Sequence, residues 1–183
     1  MVDEAQAQRW ENLARSAEAW LDTARILRAC AETIGGPFVE DIVKPPPPPG
    51  ERSVEENVPP ILFGFVFQML AGYTIEALLK GILVARYRDA VTEGRLATWL
   101  TKHNLENLLT RAGITLDDPL LAFIRRVNVA VVWSGRYPVP KERARMEGRL
   151  SSSADLEWFE DIYHRLYVRL QIELDRTSEV RDP

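Results

Sequence analysis

Apolar residues recur every three or four positions through 3–34, at Trp10, Leu13, Ala17, Trp20, Ala24, Leu27, Ala31 and Ile34. That seven-residue period keeps one narrow stripe on one face, so it predicts a single long amphipathic helix, ended by Gly35-Gly36-Pro37. The stripe reads as intramolecular core. A dimer seam is the alternative, because Trp10 and Trp20 offer much apolar area. A second helix should start just after Pro59-Pro60 and run to about Arg88. Ile61, Leu62, Phe65, Met69 and Leu70 open it, and Ile75, Leu78, Leu79, Ile82 and Leu83 continue it. Being apolar nearly all round, it is expected at the centre of the fold. Gly64, Gly72 and Gly81 each cost about 1 kcal/mol against alanine there, which the close approach of a neighbouring helix would offset.

Further along, a short helix fits 104–111, stopped by Gly113. Asp118 should cap the next, with Pro119 in its first turn and Leu120, Leu121, Ile124, Val127, Val131 and Val132 along its stripe. Residues 135–149 read as a loop, and a last helix over 154–176 places Leu156, Phe159, Tyr163, Leu166 and Leu170 on one face. No alternating strand of useful length appears. The fold class is therefore all-α: one domain over 1–183, an up-and-down bundle of four longer helices plus one or two short ones. At about 37–60 a connection carries five consecutive prolines, which favour extended polyproline II and act as a stiff surface spacer. A ligand for a proline-binding module is the sharper alternative.

Composition changes this picture little. Hydrophobic residues at 46%, charged residues at 27% and a net charge of −4 are ordinary for a soluble domain. They give no global reason to expect nucleic-acid binding, although they permit a local basic patch. One cysteine, Cys30, excludes an intramolecular disulfide and is expected to be buried as a small apolar group. Without a Cys/His cluster at ligand spacing, no metal site or cofactor is expected. The acidic start lacks the pattern of a signal peptide, and 61–70 is too short to span a bilayer before Glu76 and Lys80, so no membrane partner and a cytoplasmic location are expected.

The chemistry-bearing residues are few. Glu76 and Lys80 stand four apart in the apolar helix, acid first, which is the favoured orientation. If buried, both charges need partners, for which His103, Arg136 and Tyr137 are the candidates. His103 is the candidate for general acid–base chemistry, since imidazole titrates near neutral pH; anchoring the short helix beside it is its structural role. Between 125 and 149 seven basic residues (Arg125, Arg126, Arg136, Lys141, Arg143, Arg145 and Arg149) meet two acids, and with Trp133 or Tyr137 nearby they offer phosphate contacts and base stacking. A solvated charged loop is the plainer reading of the same segment.

Three motifs, Thr74-Ile75-Glu76-Ala77-Leu78-Leu79-Lys80, His103-Asn104-Leu105-Glu106-Asn107-Leu108 and Arg136-Tyr137-Pro138, taken in this order, resemble the HEPN superfamily of small helical bundles over roughly 60–175. The resemblance implies a domain that binds RNA, a nucleotide or a protein partner such as a nucleotidyltransferase or antitoxin, in toxin–antitoxin, stress or defence systems. Many members are metal-independent ribonucleases with an Arg-x(4-6)-His motif. Here Lys141, Glu142 and Arg143 stand where the histidine after Arg136 would be, and His164 and Arg169 have a suitable interval in the reverse order. The expectation is binding through Glu76, Lys80, His103, Arg136 and Tyr137 without the usual nuclease activity. The alternatives are a divergent ribonuclease completed across a homodimer and a structural helical assembly partner.

Overall fold

The computed structural model describes residues 3–43, 60–134 and 152–179, and the proline-rich connection lies outside them. Among the described residues the fold is all-α. Helices α1 (Glu4–Arg15), α2 (Ala17–Val43), α3 (Pro60–Arg86), α4 (Leu105–Ala112), α5 (Asp118–Val129) and α6 (Asp155–Glu179) are joined by one two-residue hairpin, β1 (Val91–Thr92) with β2 (Arg95–Leu96). Cross-helix contacts fix their directions. Gly35 meets Phe67 while Trp20 meets Gly81, so α2 and α3 are antiparallel. Gln68 bonds Asp155 and Arg86 bonds Glu173, so α3 and α6 are parallel. Arg126 reaches Asp155 while Asp117 lies near Arg165, so α5 runs against α6. The longer helices thus alternate in direction around α3.

The expected first helix is two helices. Ser16 is extended at φ −81° and ψ 109°, and its hydroxyl accepts the Ala19 N–H at 3.1 Å, capping α2 where α1 ends. The stripe's period runs across this break unbroken, which is why periodicity alone hides it. Ala17, Leu21, Ala24 and Ala31 are buried, whereas Trp10 and Leu13 are 40% and 54% exposed. Nor does Gly35-Gly36-Pro37 end the helix: α2 continues to Val43. Gly35 faces Phe67 and Leu156 so closely that an added Cβ would stand 2.9 Å from the Phe67 ring. The glycine is there for packing rather than for a stop. Cys30, expected in the core, is exposed.

The helix α3 is the buried centre, contacting α2, α4, α5 and α6. By length and composition 64–86 would suffice to cross a membrane, but its apolar surface is spent inside the bundle. Gly72 and Gly81 do what their position suggests. A Cβ at Gly72 would be 2.4 Å from Val131 Cγ2 and 3.1 Å from the Val127 carbonyl, and one at Gly81 about 3.1 Å from Leu170 and 3.2 Å from Trp20. Downstream, α5 is capped by Asp117 rather than Asp118, its side chain accepting the Leu120 N–H at 3.3 Å. One π-helical turn, Ala130–Ser134, extends it.

This packing makes opposite predictions for two glycines. Gly72→Ala should lower stability by about 1–3 kcal/mol in urea denaturation, since overpacking outweighs the helix-propensity gain. Gly36→Ala, with nothing within 4 Å of its Cβ, should instead gain up to about 1 kcal/mol. Glu173 supplies the pH test. Burial alone would push its carboxyl up, but the Arg86 hydrogen bond with the charges of Arg86, Arg169 and Arg176 holds it below the ordinary 4.5. A depressed folded value stabilises above 4.5 and loses that contribution as pH falls through the folded value. Glu173→Gln should therefore be less stable than wild type at neutral pH, with the difference closing in acid.

Candidate functional site

Midway along α3, Glu76 and Lys80 are 6% and 5% exposed, in a wall of leucine and isoleucine. The Lys80 ammonium donates to Glu76 Oε1 at 2.6 Å. His103 Nδ1 stands 3.0 Å from both Glu76 oxygens. An ionised carboxylate only accepts, so Nδ1 carries the proton and Nε2 is turned elsewhere. The Lys80 ammonium also lies 5.8 Å from the centre of the Trp20 ring, whose negative face favours a cation. Three distant segments thus converge on one ion pair, each brought there by local chemistry.

Trp20 reaches Lys80 because Gly81 lets α2 approach, and its indole N–H is held by the Ala14 carbonyl at 3.3 Å. His103 is placed by the start of α4. Asn104, not His103, caps that helix, accepting the Asn107 N–H at 2.9 Å, while Asn128 of α5 accepts the Leu105 N–H at 2.9 Å. Leu100 and Leu105, before and after the histidine in the chain, are both fully buried. Gly113, at φ +64°, closes α4 in the left-handed conformation.

Of the expected ligand-binding set, the fold brings Glu76, Lys80 and His103 together. Arg136 and Tyr137 lie outside the described residues, as do Lys141, Arg143, Arg145 and Arg149 of the basic segment and the Trp133 side chain. Glu76 and Lys80 are buried and bonded to each other. His103, with 47% of its side chain exposed, is the member that reaches solvent. Arg125 is exposed and pairs with Glu106 at 2.9 Å. Arg126 is committed to the fold: it bonds the fully buried Asp155 at 2.5 Å and lies 5.3 Å from the Trp158 ring centre. Among the described residues, no group of three metal-ligating side chains forms.

Beside the ion pair, Trp10, Leu13, Trp20 and Leu96 line an apolar trough of about 350 Å³, formed where α1 breaks into α2. On the α2/α6 face, Arg25, Arg28, Glu160, Tyr163, His164 and Tyr167 line a second hollow of about 360 Å³. There Arg28 sits 4.2 Å over Tyr163 and bonds Glu160 at 2.6 Å. Burial first, and then the nearby Glu32, push the Glu160 carboxyl up in spite of Arg28. Sequence reasoning missed Trp20 as a partner of Lys80 and His164 as part of a hollow. A heptad stripe marks Trp20 only as apolar, and nothing in the spacing joins α2 to α6.

No family model, no curated protein and no solved structure matches this chain.

Removing one charge of the buried pair should cost far more than removing both. Glu76→Gln or Lys80→Met alone is expected to lose about 3–5 kcal/mol, because the remaining charge is stranded in the core. The double variant should lose clearly less than the sum, a coupling that denaturant titration of the four proteins reads directly.

Proposed function

We propose that this chain is a HEPN-like helical domain that binds single-stranded RNA or a nucleotide at His103, without cleaving it by the family's Arg-x(4-6)-His route. The observation that carries the reading is the half-exposed imidazole with Nδ1 fixed on a buried carboxylate. Such a ring presents Nε2 in one orientation as an acceptor, ready to take a hydrogen bond from a ribose 2′-hydroxyl or a base N–H. The trough with Trp10 and Trp20, joined to the cluster through the Trp20–Lys80 contact, supplies apolar faces against which a base can stack. The order of the three sequence motifs supports the same assignment, and it gives Arg136 and Tyr137 the role of phosphate and base contacts.

A labelled single-stranded RNA titrated by fluorescence anisotropy tests this. Binding should weaken with salt and fall about tenfold or more in His103→Ala and in Arg136→Ala, about 1.4 kcal/mol or more, with helicity unchanged. Wild-type affinity in both variants would remove the site. Incubation with RNA and a chelator should leave the RNA intact. Cleavage lost in His103→Ala would move the protein to the ribonuclease reading, with Glu76 orienting the histidine as acid–base catalyst.

A second reading rests on α1, which buries no residue and presents Trp10 and Leu13 to solvent. A homodimer closing over that face would cover both. Light scattering should then show concentration-dependent association that is lost in Leu13→Lys; a strict monomer at high concentration would retire this reading.

A further inference from the structure

One end of the bundle gathers arginines that no spacing in the sequence announces. There α1 ends, α2 begins, and α3 and α6 finish around a cleft of about 410 Å³. Arg15, Arg86, Arg88 and Arg176 line it, against two acids, Glu18 and Glu173. Positive charge is in surplus here. Glu173 is shared by three guanidinia, with Arg86 at 2.8 Å, Arg169 at 3.2 Å and Arg176 at 3.7 Å. Glu18 accepts from the Ser16 hydroxyl at 2.9 Å. Arg15 is held by Glu11 and the Arg88 carbonyl. Arg88 has no acidic partner among the described residues, and Arg176, 65% exposed, holds only the long contact.

Complementing the negative ends of α3 and α6 accounts for Arg86 and Arg176, which sit in the last turns of those helices. It does not account for Arg88, which lies beyond α3 in the short 3₁₀ turn Arg88–Ala90. The opening turn of α2, at Ala17 and Glu18, faces the same cleft and brings the positive end of a helix to it. In a chain of net charge −4, this is a local cationic concavity with two arginines, Arg15 and Arg86, fixed by the fold and two, Arg88 and Arg176, left to bind.

We propose that this cleft is a binding site for a dianionic phosphoryl group, carried as the terminal phosphate of a small phosphorylated ligand. Arg88 and Arg176 grip the phosphate with their planar donor pairs. Arg86, anchored by the Ala112 carbonyl at 2.6 Å and by Glu173, supplies a fixed charge behind them. Tyr87, 37% exposed and packed against Trp99 and Arg111, also lines the cleft where the organic part of the ligand would lie. The volume suits a group of nucleotide size. This site uses none of the residues of the His103 cluster and stands or falls separately from it.

Calorimetric titration of the full chain with pyrophosphate, with a nucleoside diphosphate and with a short RNA bearing no terminal phosphate tests the assignment. Pyrophosphate and the nucleoside diphosphate should bind wild type and His103→Ala alike, and at least tenfold more weakly to Arg88→Ala/Arg176→Ala. A melting curve close to wild type is expected for that double variant, because both side chains are exposed. Arg88→Lys/Arg176→Lys should recover part of the affinity. No binding of either probe at millimolar concentration, or equal binding by the double alanine variant, overturns the proposal. So does RNA without a terminal phosphate binding through these arginines while pyrophosphate does not, which would make the cleft a phosphodiester surface instead.

Discussion

A carboxylate and an ammonium withdrawn from water together cost several kcal/mol each before any contact is made. In this fold that cost is met at Glu76 and Lys80, and much of the surrounding architecture is what makes it bearable. The 2.6 Å hydrogen bond between them is the first part. His103 adds a donor to the same carboxylate, and the Trp20 face adds a weak attraction for the ammonium. Neither partner would reach the pair without a backbone device elsewhere: Gly81 for the approach of α2, and the Asn104 and Asn128 side chains for the turn that carries His103.

The same helix repeats the device toward both of its ends. Gln68 donates to the buried Asp155, which also holds Arg126, and Arg86 donates to the buried Glu173. Polar anchors at 68, 76 with 80, and 86 therefore stand along α3 at intervals of about two turns. Both outer anchors tie it to α6. Apolar packing alone tolerates sliding between helices of similar composition, whereas a buried carboxylate accepts its donors in one register. We attribute the alignment of α3 with α6 to these anchors, and the tightness of the contact to the glycines between them.

Much of the helical layout is legible in the sequence, because long apolar periods report burial directly. The central place of α3, a short α4 stopped by Gly113 and the meeting of Glu76, Lys80 and His103 can all be read there, the last because a buried charge pair needs partners. Features set by contacts between distant segments escape such a reading. Ser16 breaks a stripe whose period is undisturbed, since α1 keeps the phase while leaving its apolar face in solvent. Gly35-Gly36-Pro37 carries the composition of a helix stop, yet Gly35 is small because Phe67 leaves no room for a Cβ. Residue type alone places Cys30 in the core, while its position on α2 turns it outward. The arginine cleft draws on four helices, so no window of sequence contains it.

The decisive measurement is nitrogen-15 NMR of the His103 ring, recorded with and without single-stranded RNA. A proton on Nδ1 in the free protein, held by Glu76, is the expected result, together with an Nε2 resonance that moves as RNA is added. A ring protonated on Nε2 with Nδ1 bare, or an Nε2 resonance indifferent to RNA that binds elsewhere, would contradict the role given to His103.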